Sequence, residues 1–370
     1  MENKKINIVL FIILILILVL IIVLIVNYNE AIFKKNNEIQ GNTLTSETSS
    51  INKQINVVPT MEEKITGNTL WCGTFQLVWN DLKNNIVKQD IKFSPQMDII
   101  NNLNNSKFSE EMLSEDDFYK NYGIMSQELK NQIEKDLKNK FGRNTEFLNN
   151  FNWNNDNNEI RYFLYSILVK ELEFSSPFDD LGTDKFGGND DSTVSFFGLR
   201  SNSNEEARKQ VKVLYYNNEK DKAISISTTT NDEILICQTN ALQTFSQVYQ
   251  KIIKESETYK DETDLKNTET LKLPEINVKA ERDYEELENK EFETVDGEKI
   301  KIDKALQTIE FNLNKQGAKI ESEAGMAVST NGIQENKNRD FSFDDNFIIF
   351  VKEKDKELPY FAINIEDIII

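Results

Sequence analysis

The chain has 370 residues, with 43 Lys and Arg against 62 Asp and Glu, a formal charge of −19, no His, two Cys and 13 Gly. Without His there can be no Ser-His-Asp or Cys-His nucleophilic arrangement and no imidazole metal site, and Cys72 and Cys237 alone cannot build a Cys₄ zinc site. Neither Gly-rich phosphate loop, G-x-G-x-x-G or G-x-x-x-x-G-K-[ST], is present, and the acid excess argues against nucleic-acid partners.

Ile8 to Val26 are 19 uninterrupted apolar residues. At about 1.5 Å per residue they would reach ~28 Å, close to the hydrocarbon thickness of a bilayer. Lys4 and Lys5 precede the run and no small-residue cleavage site follows it, so 1–27 reads as an uncleaved signal anchor. The anchor would hold the protein at the cell membrane as a single-pass chain with the folded part outside. Residues 28–66, rich in Asn, Ser, Thr, Gln and Glu, read as a flexible tether. The remainder, 67–370, reads as one domain without internal repeats.

Phe75, Val78, Trp79, Leu82 and Ile86 share one helical face. Ile91-Lys92-Phe93 is then stopped by Ser94-Pro95. Residues 101–158 are Asn-rich, with one good helical stretch from Ser126 to Phe141. Tyr162 to Val169 is nearly all apolar, which suits a strand buried on both faces. Val211–Tyr216 and Ala223–Ser227 read as strands, Thr244–Ile253 as a helix and Asp261–Thr270 as a charged loop. Leu271 to Pro274 opens a strand that Glu275 to Lys279 would continue. Ile309–Leu313 is another strand, and Phe347–Val351 with Tyr360–Ile365 forms a hairpin across Lys354-Asp355-Lys356-Glu357. Without strict βαβ alternation the class is α+β.

The C-terminal third resembles the serpin family. Ile309-Glu310-Phe311-Asn312-Leu313-Asn314-Lys315-Gln316-Gly317-Ala318-Lys319 is similar to the segment that leads into that family's reactive loop. Phe341-Ser342-Phe343-Asp344-Asp345-Asn346-Phe347-Ile348-Ile349-Phe350 resembles the segment after it, and Pro359-Tyr360-Phe361 the closing Pro-x-Phe. Upstream, Phe93-Ser94-Pro95, Ser166 to Phe178 and Leu273-Pro274 match further family segments in order. The resemblance implies a serpin-like fold, with mixed β-sheets, surrounding helices and an exposed loop. It also implies a protease inhibitor without enzymatic chemistry or cofactor. A serine or cysteine protease would cut the loop, and the loop would then insert into the large sheet. A scaffold that binds a partner without inhibiting is the alternative.

On that resemblance the hinge is Gly317, Ala318, Lys319, Ile320, Glu321, Ser322, Glu323 and Ala324, and the scissile bond lies near Asn331-Gly332, with Lys337 or Arg339 serving a trypsin-like protease. Ala318, Ile320, Ser322, Ala324, Met326 and Val328 alternate as an insertable strand requires. Ile320 and the charged Lys319, Glu321 and Glu323 depart from the family's small-residue hinge, and the stretch between Pro95 and Tyr162 is shorter than the family's. A polar cluster where the sheet opens would use Ser94, Ser166 and Gln307, and Glu275 would pair with Lys315.

Other residues were candidates for chemistry. Cys72 and Cys237 are either a disulfide or two buried thiols. Asp179-Asp180 and Asp190-Asp191 around Gly187-Gly188 are either a Ca²⁺ loop or a solvated acidic loop. Asp344 and Asp345, adjacent on a strand, point to opposite faces and make no dyad.

Overall fold

The computed structural model describes residues 55–317 and 339–368, apart from 143, 145–146, 154–160, 171, 188–192 and 241–242. Strands β1 (Asn56–Val58) and β2 (Thr69–Cys72) lead into helix α1 (Thr74–Asp81), which runs on into a π-helical turn over Leu82–Val87. Then come α2 (Asp98–Asn105), β3 (Phe118–Ile124), α3 (Gln127–Phe141), β4 (Arg161–Leu168), β5 (Asp179–Lys185) and β6 (Thr193–Leu199). The short helix α4 (Glu205–Lys209) precedes β7 (Val211–Asn218), β8 (Asp221–Ser227) and β9 (Asp232–Gln238). Helix α5 (Phe245–Thr258) is followed by β10 (Thr270–Pro274), β11 (Ile276–Asp283), β12 (Glu291–Glu293) and β13 (Lys299–Leu313). β14 (Asp340–Ser342), β15 (Phe347–Glu353) and β16 (Phe361–Ile365) close the chain.

Three sheets result. Seven strands run β1-β2-β16-β15-β9-β8-β7, four run β14-β10-β6-β5, and five comprise β11-β13-β4-β3 with β12 on β13. In the seven-stranded sheet β9, β15 and β16 carry continuous apolar runs because both faces are covered. Phe245 and Tyr249 of α5 meet Phe350 on one face, at ring-centroid distances of 6.0 and 5.5 Å. Phe311 of β13 stacks on Phe361 at 4.5 Å, joining the five-stranded sheet to the seven-stranded one. β4 is likewise covered twice. Its Leu164 packs among Phe75, Trp79 and Leu82 of the α1 segment, while Phe163 and Tyr165 pack with Ile133 and Leu137 of α3. Helix α3 has the ends its sequence dictates: the Ser126 side chain accepts from Leu129 N, and Gly142 takes the left-handed conformation after the last turn.

Two expectations shift, and of the two readings left open for the cysteines the structure shows the buried thiols. β1, inside the stretch read as tether, pairs in parallel with β2, and Met61 and Ile65 are buried, so the fold is already under way at Asn56. Leu271 to Lys279 is two strands, β10 in the four-stranded sheet and β11 in the five-stranded one. The break follows Pro274, which has no N–H to continue a ladder. Cys72 and Cys237 are free and buried, and burial raises the pKa of both thiols, that of Cys237 to about 12. The apolar span 8–26 lies outside the described residues, and none of the described helices is long and apolar enough to cross a membrane.

One ion cluster ties two of the sheets together. Just beyond β4, the Lys170 ammonium contacts Asp117, Asp232 at 3.0 Å and Glu353 at 3.4 Å. Asp232 and Glu353 are buried, and Asp232 also accepts from the Tyr360 hydroxyl at 2.9 Å. Removing the ammonium would leave buried carboxylates without their counter-charge. Lys170→Met is expected to cost about 3–5 kcal/mol in denaturant unfolding, well beyond an exposed Lys→Met control such as Lys279→Met.

Candidate functional site

The parallel strands β4 and β13 are joined over only part of their length. Their rungs are Arg161–Lys301, Tyr162–Ile302, Phe163–Lys304 and Leu164–Ala305, with a bulge at Asp303. Beyond Leu164 and Ala305 β4 pairs only with β3, and β13 pairs only with β11. The five-stranded sheet is therefore a fork. One shoulder is Tyr165–Leu168, about 13 Å long, and the other Leu306–Leu313, about 26 Å, at ~3.3 Å per residue.

Ser166 and Gln307 each stand two residues past the last rung, one on each shoulder, and on the same face as Leu164 and Ala305. Both are buried. The Gln307 amide nitrogen donates to Cys72 O at 3.0 Å and Thr74 Oγ1 at 3.1 Å, and its oxygen accepts from the Tyr284 hydroxyl at 2.9 Å. The Ser166 hydroxyl has no hydrogen-bond partner among the described residues. Of the three residues expected in the cluster, Ser166 and Gln307 stand at the level where the pairing of β4 and β13 ends. Ser94 is not there: it is exposed, in the loop of the cis Ser94-Pro95 bond. Thr74, at the corner between β2 and α1, takes its place beside Gln307. Thr74 carries no sequence signal for this role, because only the path of β2 into α1 brings it to Gln307.

At the far end of β13 the chain turns back. Asn314 and Gly317 exchange backbone hydrogen bonds at 3.0 and 3.1 Å across Lys315-Gln316. Phe174 N donates to Gln316 O at 3.1 Å and Phe178 N to Lys315 O at 2.9 Å. Gly317 has φ +107°, and a Cβ there would lie 2.2 Å from Leu172 O, so no other residue fits. Lys315 pairs with Asp180 at 3.0 Å, not with Glu275 as expected. The cause is β5, which brings Asp180 to this corner; its pKa is lowered first by the Gly182 N–H and then by Lys315. Burial raises the Glu275 carboxyl, and the Lys315 charge only partly offsets this, from beyond ion-pair range.

The chain is fixed again at Arg339. Its guanidinium forms a two-pronged bond to the buried Glu269 carboxylate, at 2.7 and 2.8 Å, and donates to the Tyr259 hydroxyl at 2.9 Å. Arg339 is therefore unavailable as a protease recognition residue, contrary to one sequence-level option. Next to it the buried Lys222 ammonium donates to Asp340 O at 2.9 Å and Ser342 O at 2.8 Å. Burial pushes that ammonium down to about 8. Ala318, Lys319, Ile320, Glu321, Ser322, Glu323, Ala324, the Asn331-Gly332 bond and Lys337 lie outside the described residues, as does the Asp190-Asp191 half of the acidic loop. Among the described residues there is no cluster of three or more metal-ligating side chains.

No family model matches the sequence, and no curated protein matches it. Among solved structures the chain is similar to a thyroxine-binding globulin in complex with thyroxine, with TM-score 0.47 and 12% identity over 84% of this chain and 94% of that one. It is similar to Serpin48, a highly specific serpin of the insect Tenebrio molitor, with TM-score 0.43 and 13% identity over 81% and 92%. It is also similar to human glycosylated kallistatin, with TM-score 0.42 and 11% identity over 65% and 64%.

The two residues at the opening should respond oppositely to truncation. Gln307→Ala strands the Tyr284 hydroxyl and the Cys72 carbonyl and is expected to cost roughly 1–3 kcal/mol in urea unfolding. Ser166→Ala removes a buried hydroxyl that has no partner and is expected to be neutral or stabilising by about 1 kcal/mol. Equal losses at both positions would contradict this placement.

Proposed function

We propose that the chain is a membrane-tethered, serpin-like protein that inhibits a protease. Segment 318–338 is the bait, and after cleavage its N-terminal part adds to the fork between β4 and β13. The fork is the observation that carries this reading: beyond Leu164 and Ala305 the two strand shoulders have no ladder pairing with each other, and each could accept a new neighbour. The Asn314–Gly317 rung supports it, since it turns the chain antiparallel to β13, the direction an added strand needs. The anchors at Gly317 and Arg339 support it too, because they pin both ends of the segment and leave the cleavable bond between them.

The protease nucleophile would form its acyl bond to the Asn331 carbonyl as the Asn331–Gly332 C–N bond breaks, with Lys337 as the alternative site. Added strand pairs contribute about 1 kcal/mol each, and the apolar members Ile320, Met326 and Val328 about 1.5–3 kcal/mol each on burial. Ordering the segment opposes this at about 1–2 kcal/mol per residue. The anchor at 8–26 would hold the domain at the outer face of the cell membrane.

A second reading, a serpin-like module that binds a partner without trapping it, is favoured by one observation. The β4 shoulder is only four residues long, so an added strand would be paired on both sides over a short stretch. Incubating the full-length chain with a panel of serine and cysteine proteases separates the two. A denaturing gel is expected to show a covalent adduct at the summed mass, with fragments cut at Asn331–Gly332 or after Lys337. Clean cleavage in 318–338 without adduct would overturn inhibition and leave the binding module.

A further inference from the structure

The cluster around Lys170 holds more than an ion pair needs. Its ammonium meets Asp232 Oδ1 at 3.0 Å and Glu353 Oε1 at 3.4 Å, with Asp117 as a third partner. Asp232 is 0% exposed, and Glu353 and Tyr360 are each 2% exposed. Among the described lysine–carboxylate pairs, only here does the acid have no exposure at all. Both oxygens of Asp232 are also held by hydroxyls. Oδ1 accepts from Tyr360 at 2.9 Å and Oδ2 from Thr230 at 2.6 Å. Ser114 N donates to Glu353 Oε1 at 2.7 Å, which fixes that carboxylate beside the ammonium. Lys170 Nζ also lies over the Tyr360 ring, 5.4 Å from its centroid.

An amine and a carboxyl held at contact distance, away from water, meet two conditions for direct amide formation. Fixed approach replaces the encounter of two separate reactants. Burial disfavours the ion pair and so favours a neutral product. A proton must first move. Burial works against the charge on Lys170, but Asp117 and Asp232 more than offset it and keep the side chain an ammonium. Glu353 is the base within reach of that ammonium. We propose that Lys170 and Asp232 join in an intramolecular isopeptide bond, with Glu353 carrying the protons.

Glu353 moves one proton from the ammonium to Asp232 Oδ1, which leaves a neutral amine beside a carboxylic acid. The amine attacks Asp232 Cγ, and the Thr230 hydroxyl stabilises the charge that forms on Oδ2. Glu353 then moves a second proton from the nitrogen to Oδ1, and the Cγ–Oδ1 bond breaks to release water. One ammonium and one carboxylate become one amide and one water. Nothing is oxidised or reduced, and Glu353 ends as it began. The bond ties the segment after β4 to the start of β9, and thus the five-stranded sheet to the seven-stranded one.

The test is peptide mass spectrometry of the full-length chain, held folded at neutral pH, sampled over time, then denatured and cut with trypsin. An acylated Lys170 is not cut, so the expected product is a branched peptide joining 162–185 to 223–251, lighter by one water than the two together. It should accumulate in the folded chain and not in a portion held in urea. Glu353→Gln, which keeps the shape and removes the base, should abolish it. Thr230→Val, at an exposed position where folding is not threatened, should slow its accumulation roughly tenfold or more. Absence of the branched peptide from the folded wild-type chain would overturn the inference, as would equal accumulation in Glu353→Gln.

Discussion

The side-chain amide of Gln307 is the contact on which the rest of the arrangement turns. Its nitrogen is taken by Cys72 and Thr74, and its oxygen by Tyr284. All of these partners belong to α1, to its entry from β2, or to the segment after β11. None belongs to β4. The amide therefore holds β13 toward α1 and β11 at the level where β4 loses its pairing with it. Ser166, at the same level on β4, is left with a buried hydroxyl and no partner. A closed sheet would put Ser166 and Gln307 on adjacent strands; here they mark the two sides of the opening.

The surroundings make the fork a local feature of a firm frame. Below it, Leu164 and Ala305 share a core with Phe75, Trp79 and Leu82, and Phe75 stacks on Tyr284 at 4.0 Å. Beyond the end of β4, the Lys170 cluster ties the segments flanking β3 and β4 to β9 and β15. The loop's two ends are held by contacts of different kinds: backbone crowding around Gly317, and charge-assisted hydrogen bonds from Arg339 and Lys222. Contacts of this kind at both ends suit either reading of the function.

Much of the frame was legible in the sequence because it rests on local signals. The apolar run of β4, the capped helix α3 and the β15–β16 hairpin each show their period or their punctuation directly. The parts that were not legible depend on distant partners. Ser94 was drawn to the cluster by a Phe-Ser-Pro triplet, yet the residue that meets Gln307 is Thr74, and only the folded path of β2 brings it there. Lys315 found Asp180 because β5 begins at that corner, which no charge pattern near Lys315 could reveal. β1 is three residues long, too short to show alternation, so its parallel pairing with β2 was invisible inside a polar stretch. Arg339 read as a possible cleavage site because its partner Glu269 lies 70 residues away in sequence.

The central claim is that the fork accepts a strand. Amide hydrogen exchange of the full-length chain, before and after cleavage within 318–338, tests it most directly. Filling of the fork would slow exchange at Tyr165–Leu168 and at Leu306–Leu313 together, with a higher melting temperature in the cleaved protein. Unchanged exchange on both shoulders, with cleavage complete, would contradict it.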